Sequence, residues 1–469
     1  MLNITLFGAA GEVTGSNTLL DLDGEKVVVD CGMFQGSHES MAKNLEPFHY
    51  DPKSVQAVIL THAHLDHCGR LPMLVKQGFK GTIFSTPATR DLAEIVLKDA
   101  VQIAKDRNRR KGTPIPYTLE DTMRCMDQFR CVDYNEPFAF SKNIEAHFID
   151  AGHVLGSASA ILQMGKSRVI MSGDLGSPNT PILEDPVKPD AADVVVMEST
   201  YGDREHQEVK DRLAALHDTI DQAIKRGGTI LIPAFSLERT QEILYGFAGW
   251  QNDPMLKGVP VFLDSPMAIE MLDVYRRNIQ EMDDEAKARM TGGHDPFLFS
   301  GLKITPTMAA SKGIRHIPNP KIIIAGSGMM DGGRIQYHLF DYLPDPTTTL
   351  LVVGYQAEGT LGRTIADGVT RVLIHDERVL VRAKVEKIDY MSAHGDQTTL
   401  LNWLKPVKGV RAVILNHGEE PSRHTLAKKI EEELKFNVAM PQFGQSVRVK
   451  SIGAGAVASS GTTGYTDPA

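Results

Sequence analysis

Four side chains able to hold a metal ion stand within six residues of the segment Val58-Ile-Leu-Thr-His62-Ala-His64-Leu-Asp66-His67. Imidazole and carboxylate are donors that a borderline-soft cation such as zinc accepts. The segment opens as an apolar run and closes in polar residues. A turn leaving a buried strand would therefore aim alternate side chains at two neighbouring points, His62 and His64 at one, Asp66 and His67 at the other. Further donors follow apolar runs in the same way: Asp150-Ala-Gly-His153 after Ile149, and Ser172-Gly-Asp174 after Val169-Ile170-Met171. A carboxylate such as Asp174 can bridge two cations and hold them roughly 3.5 to 4 Å apart, the spacing used in two-metal hydrolysis. Read alone, His153 is a loop histidine and Asp174 a turn carboxylate; beside His62 to His67 both read as ligands.

These elements resemble, in order, the metallo-β-lactamase superfamily, with its H-x-H-x-D-H element at His62 to His67 and its later His and Asp elements at His153 and Asp174. Asp30, in Val29-Asp30-Cys31-Gly32, matches the first acidic motif of that superfamily. The resemblance implies that Asp30 orients the site instead of ligating, because hydrogen bonds from outside the metal shell set histidine tautomers. Three more segments narrow the likeness: Met197-Glu198-Ser199-Thr200-Tyr201-Gly202, Ser392-Ala393-His394-Gly395-Asp396 and Leu415-Asn416-His417-Gly418-Glu419. Together they resemble the β-CASP nucleases, whose motifs A, B and C would fall at Glu198, His394 and His417.

That resemblance covers nearly the whole chain and implies two zinc ions per chain. His62, His64 and His153 would hold one, Asp66, His67 and His417 the other, with Asp174 bridging and Glu198 pairing with His394 as general acid. Histidine at motif C is similar to the RNA-processing branch, whereas the DNA-repair branch has an apolar residue there. The implied substrate is single-stranded RNA, and the length resembles compact prokaryotic relatives of RNase J and of the pre-mRNA 3′-end cleaving endonucleases.

The implied chemistry stands on its own terms. A phosphodiester carries negative charge that two cations neutralise while lowering the pKa of a bridging water to give hydroxide near pH 7. The departing alkoxide is a poor leaving group, so a positioned proton donor is worth about 10² to 10⁴ in rate. Two alternatives remain open at this stage, a small-molecule thioesterase or lactamase and a catalytically inactive RNA-binding subunit. His394 and the inserted segment speak against the first, and the filled motif positions against the second. Endonuclease and 5′-to-3′ exonuclease modes are equally compatible with these residues.

Several loops place small residues and an arginine after an apolar strand: Pro233-Ala-Phe-Ser236-Leu-Glu-Arg239, Ala325-Gly-Ser327-Gly328 continuing to Arg334, and Gly354 to Arg363. Such loops can offer backbone amides and a guanidinium fork to phosphate. Ser236, Arg239, Ser327, Gly328, Arg334 and Arg363 are thus candidates for substrate binding, with Gly156 and Ser157 beside His153 for the scissile phosphate.

The elements that must position these groups divide the chain by texture. Residues 1 to about 200 alternate short β-type runs such as Val27-Val28-Val29 and Val194-Val195-Val196 with turn residues. Continuous apolar runs suit strands covered on both faces and call for helical layers on either side. From about 205 a strand-and-helix alternation begins, with a helix near 207 to 226 and strands at Thr229 to Ile232, Val261 to Leu263, Lys321 to Ala325 and Leu350 to Val353; it argues for a parallel α/β sheet. After about 375 the first texture returns, with strands near 380 to 387 and 411 to 416 and a helix near 396 to 405. The expected architecture is an αββα sandwich from residues 1–204 and 366–452, an inserted parallel α/β domain at 205–365 forming a lid over RNA in a cleft between the two, and a disordered tail at 453–469.

Composition limits the alternatives. With 469 residues, 42% hydrophobic and 23% charged, the chain is that of an ordinary globular protein of two or more units. A formal net charge of −9 argues against nonspecific coating of nucleic acid, although Lys105 to Lys111 forms a local basic strip. No apolar stretch approaches the roughly 20 residues that span a bilayer, and Met1-Leu2-Asn3-Ile4-Thr5 lacks a basic region followed by an apolar one, so the cytoplasm is expected. Four cysteines without a C-x-x-C pair favour reduced thiols over a disulfide framework. Homodimerisation is open.

Overall fold

The computed structural model describes residues 1–206, 212–354, 356, 359–388 and 391–449. The chain divides into two compact units, one formed by Met1–Pro178, Glu184–Glu205 and the chain from His394 onward, the other by Asn179–Leu183 and His206–Ala393.

Two seven-stranded sheets make the first unit. One runs in the order Ser446–Val449, Leu2–Leu6, Thr18–Leu22, Glu25–Val29, Val55–Ile59, Thr82–Ser85 and Phe129–Cys131. The other runs Val438–Ala439, Ala412–Leu415, Val194–Met197, Ser167–Met171, Ala158–Met164, Ile144–Asp150 and Phe138–Ala139. Strand side chains alternate between faces, so each apolar run serves two layers. Val27, Val29 and Ile59 of the first sheet pack with Phe148, Leu162, Val169 and Val196 of the second in the core between them. Ile161, Ile170, Val195 and Val413 point the other way, against Leu400, Trp403, Leu404 and Leu426 of the helices Gln397–Leu404 and Glu420–Lys429. On the far side of the first sheet lie the helices Leu71–Lys76, Pro87–Lys111 and Leu119–Met126, whose Met73 and Val101 share a cluster with Tyr117. This is an αββα sandwich. Chain from beyond residue 400 completes both sheets, Leu2 pairing with Val449 and Val196 with Ile414.

The second unit holds a six-stranded, wholly parallel sheet in the order Leu302–Ile304, Val261–Leu263, Lys321–Ala325, Thr229–Pro233, Thr349–Val352 and Lys384–Lys387. Helices including Arg239–Gly249, Pro266–Arg277 and Ile335–Tyr342 connect its strands, the connection that parallel pairing requires, and Arg212–Lys225 leads into the first of them. A separate hairpin joins Arg371–Ile374 to Glu377–Leu380.

One expectation changes. Residues 366–388, read as part of the return of the sandwich, lie in the second unit, because Lys384–Lys387 pairs in parallel with Thr349–Val352. A four-residue edge strand of sequence Lys-Val-Glu-Lys has too little apolar content to declare its sheet, so only the pairing assigns it. The basic strip Lys105 to Lys111 is the end of a 25-residue helix that closes on Gly112 in the left-handed conformation. The segment 453–469, expected to be a tail, and residues 207–211 of the expected helix lie outside the described residues. Among the described residues no helix is long and apolar enough to cross a membrane.

Candidate metal centre

Each donor singled out in the sequence sits just past a strand end in the first unit. His62 and His64 follow Val55–Ile59, and the short helix Leu65–Cys68 carries Asp66 and His67. His153 follows Ile144–Asp150, Asp174 follows Ser167–Met171, Glu198 follows Val194–Met197, and His417 follows Ala412–Leu415. Close backbone approach makes the gathering possible: a Cβ at Gly32 would lie 1.5 Å from the carbonyl oxygen of Asp66, and one at Gly418 would lie 2.3 Å from Ser199 Oγ.

The donor atoms converge in overlapping groups. His62, His64, His153 and Asp174 form one, Asp66, His67 and His417 another, and Asp174, Glu198, His394 and His417 a third that shares a residue with each, with all ligand atoms in each within 4.8 Å of one another. Asp174 Oδ2 lies 3.6 Å from His62 Nε2, 3.7 Å from His153 Nε2 and 3.3 Å from His67 Nε2, so one carboxylate faces both of the first two groups. Its other oxygen, Oδ1, is buried without a hydrogen-bond partner. Ring nitrogens face one another as well: His64 Nδ1 is 3.0 Å from His62 Nε2 and 3.2 Å from His153 Nε2, and His67 Nε2 is 3.1 Å from His417 Nε2.

Hydrogen bonds behind the rings decide which nitrogen each can offer. Asp30 accepts from the Thr61 amide at 2.9 Å and from the Thr61 hydroxyl at 3.0 Å, and lies 2.7 Å from His67 Nδ1. Because the Thr61 proton goes to Asp30, Thr61 Oγ1 acts as acceptor for His62 Nδ1 at 3.1 Å. Nε2 of His62 and of His67 is then the atom left for a cation. The role of Thr61 follows from these bonds, and the only trace of it in the sequence is its position directly before His62.

Burial pushes the pKa of His62 and His153 well below the usual histidine value and that of His64 down to about 4. Neutral imidazoles are the form a metal needs. Asp174 is buried too, but His417, His67 and His62 outweigh burial and hold its carboxyl well below the ordinary range. His67 is the exception: burial opposes its charged form, yet Asp174 and Asp30 raise its pKa well above normal. A cation taking its Nε2 would displace that proton.

Five imidazoles and two carboxylates, a buried unpartnered carboxylate oxygen and ring nitrogens aimed at one another fit metal ions of borderline softness. Beside them lies a different pair. His394 Nδ1 is 3.2 Å from both Glu198 oxygens, and Glu198 Oε1 accepts from the Leu175 amide at 2.6 Å. Burial works against a charged imidazole there, but the Glu198 and Asp174 carboxylates overcome it and push the His394 pKa up to about 9.

Family models match along the chain: the metallo-β-lactamase superfamily over residues 10–122, the β-CASP domain over 240–365 and a Zn-dependent metallo-hydrolase RNA specificity domain over 378–441. The chain is 40% identical to a protein of Thermus thermophilus named Ribonuclease TTHA0252, covering 96% of this chain and 100% of that protein. The chain belongs to the β-CASP family of the metallo-β-lactamase superfamily. This β-CASP protein is also 30% identical to an RNase J-like protein of Methanocaldococcus jannaschii, over 95% of its own length and 99% of the relative's. A solved structure of a protein of unknown function from Enterococcus faecalis V583 shares the fold, with a TM-score of 0.53 at 11% identity over 95% of this chain and 99% of that one. The β-CASP protein is a metal-dependent hydrolase, and its cofactor is a metal.

The expected phosphate-binding residues are differently occupied. Ser157 Oγ accepts from the amides of His153 at 3.0 Å and Val154 at 3.2 Å, and the Gly156 carbonyl accepts from the hydroxyls of Thr86 and Thr89, so both shape the His153 turn. In the second unit, Arg239 is buried in an ion pair with Glu242. Arg334 donates to Asp264 at 2.7 Å and to the carbonyls of Thr305 and Pro306. These two guanidinium groups each meet a buried carboxylate of the same unit, Glu242 and Asp264, that sequence spacing does not reveal. Ser236 Oγ contacts Ser265 Oγ at 3.1 Å, Ser327 Oγ contacts the Gly332 carbonyl at 3.3 Å, and the Gly328 carbonyl accepts from Gln356 at 3.0 Å. Arg363 is half-exposed and pairs with Asp367 one turn on.

Proposed function

We propose that this β-CASP protein is a zinc-dependent ribonuclease that hydrolyses RNA phosphodiester bonds at two zinc ions. The observation that carries the reading is the Glu198–His394 pair next to Asp174, a proton donor beside a metal-binding donor set. Scission of a phosphodiester needs both, since charge must be neutralised and an alkoxide must be protonated as it leaves. Relatives named as ribonucleases and the matched RNA specificity domain support RNA as the substrate.

In this reading His62, His64 and His153 hold one zinc, Asp66, His67 and His417 the other, and Asp174 stands between. When bound, the metal pair supplies positive charge for the scissile phosphate and activates water near neutral pH. His394 gives its Nε2 proton to the departing oxygen, and Glu198, on the Nδ1 side of the ring, holds the imidazole in place. Asp30 and Thr61 keep ligand tautomers correct. A cytoplasmic location goes with four cysteines free of disulfides.

The test is an assay on end-labelled linear RNA and on circular RNA, with zinc and after chelation. Zinc-dependent cleavage is expected; opened circles identify an endonuclease, and stepwise shortening from the 5′ end an exonuclease. Intact RNA with the zinc-replete protein would defeat the reading.

A further inference from the structure

Thr200 touches His417 twice. Its hydroxyl lies 3.1 Å from His417 Nδ1 and 3.1 Å from the carbonyl oxygen of the same residue. A carbonyl oxygen only accepts, and a threonine hydroxyl carries a single proton. Both bonds therefore form together in one arrangement, the hydroxyl donating to the carbonyl and accepting a proton borne on Nδ1. The lone pair of the neutral ring is then on Nε2, which faces His67 Nε2 at 3.1 Å and Asp66 Oδ2 at 3.5 Å. The other tautomer would point an N–H at the nitrogen and carboxylate with which His417 groups.

The surroundings leave this task to Thr200. Among the described residues Asp174 Oδ1 also faces Nδ1, at 3.5 Å, but makes no hydrogen bond. Thr200 and His417 are both buried, so the arrangement is closed to bulk water. The backbone is held as closely as the ring. His417 has φ +45°, which an L-residue adopts at a cost, and it is kept there by its amide donating to the Ala9 carbonyl at 2.8 Å and its carbonyl accepting from the Ser199 amide at 3.1 Å. Glu198-Ser199-Thr200 thus has two duties on successive residues: Glu198 meets His394, and Ser199 with Thr200 meets His417.

We propose that Thr200 is a positioning residue that fixes the Nδ1–H tautomer of His417 and so makes Nε2 the atom offered to the metal held with Asp66 and His67. This rests on the two-metal reading above.

The test compares wild type with Thr200→Val, which keeps the branched shape without the hydroxyl, and Thr200→Ser, which keeps the hydroxyl. Each is equilibrated with chelator-buffered zinc, and bound zinc per chain is measured by elemental analysis across the free-zinc range. Wild type and Thr200→Ser are expected to take two ions with similar affinity, while Thr200→Val binds its second ion about 10- to 100-fold more weakly. Thr200→Val binding both ions as wild type does overturns the proposal. A loss that Thr200→Ser fails to restore also overturns it, because packing would then be the cause. The tautomer is read independently of any variant from long-range ¹H–¹⁵N spectra of zinc-loaded wild type labelled in histidine: Nδ1–H at His417 is expected, and Nε2–H overturns the proposal. Wild type taking up fewer than two zinc ions overturns the two-metal reading and this proposal with it, and is recognised before any substitution is made.

Discussion

His394 Nδ1 lies 3.2 Å from each carboxylate oxygen of Glu198, although 196 positions separate the two residues in the chain. The carboxylate fixes the ring from behind and leaves Nε2 as the nitrogen able to hand over a proton. His394→Ala is expected to lower kcat by about 10² to 10⁴ while bound metal is unchanged. Glu198→Gln, which can still accept from the Leu175 amide, is expected to lower it less. Single-turnover cleavage assays beside elemental analysis check both, and a His394→Ala protein with wild-type kcat would remove the proton-donor role.

Asp30 is buried and gathers bonds from Thr61 and from His67 Nδ1. Asp30→Asn replaces a charged acceptor with a neutral amide, so His67 loses the partner that holds its ring. Metal affinity should fall about 10- to 100-fold, read by competition with a chromogenic chelator. Unchanged affinity would show that Asp30 serves the fold alone.

Chelation should abolish cleavage, and added zinc should restore it. The metal-free form should also unfold at a lower temperature, since a ligand present at about 1,000 times its Kd stabilises the folded state by about 4 kcal/mol. Calorimetry with and without zinc measures the difference. Coincident transitions would mean that the donor cluster binds no metal tightly.

Asp264 has a fully buried carboxylate that receives His338 at 2.7 Å, Ser311 at 2.6 Å, Thr305 at 2.7 Å and Arg334 at 2.7 Å. Burial alone would raise its pKa, but bonds from His338, Ser311, Arg334 and Thr305 outweigh burial and hold it down at about 2. A depressed carboxyl contributes stability that is fully present above its unfolded pKa near 4 and is lost as pH falls through the folded value. Asp264→Asn should therefore lower the stability of the second unit at neutral pH by on the order of 2 kcal/mol, and the gap from wild type should close between about pH 4 and pH 2. Urea unfolding at several pH values checks this; a gap that widens on acidification would contradict the sign.

The sequence by itself pointed to the class of chemistry, a metal-dependent hydrolase, because His62, His64, Asp66 and His67 fall within six consecutive residues and report their grouping through local spacing. It also determined the sandwich and the parallel inserted sheet, since apolar runs such as Val194 to Val196 record burial on both faces. The tertiary structure alone decided which groups face one another across the chain. Thr200 acquires its task only by standing 3.1 Å from His417, 217 positions later. Arg239 and Arg334 have Glu242 and Asp264 as partners only in the folded chain. Lys384–Lys387 belongs to the second unit only because Thr349–Val352 accepts it as a neighbour. The physical reason is common to all three: periodicity along a chain reports how buried a residue is, whereas hydrogen-bond and charge partners are set by contacts between segments that no local pattern encodes.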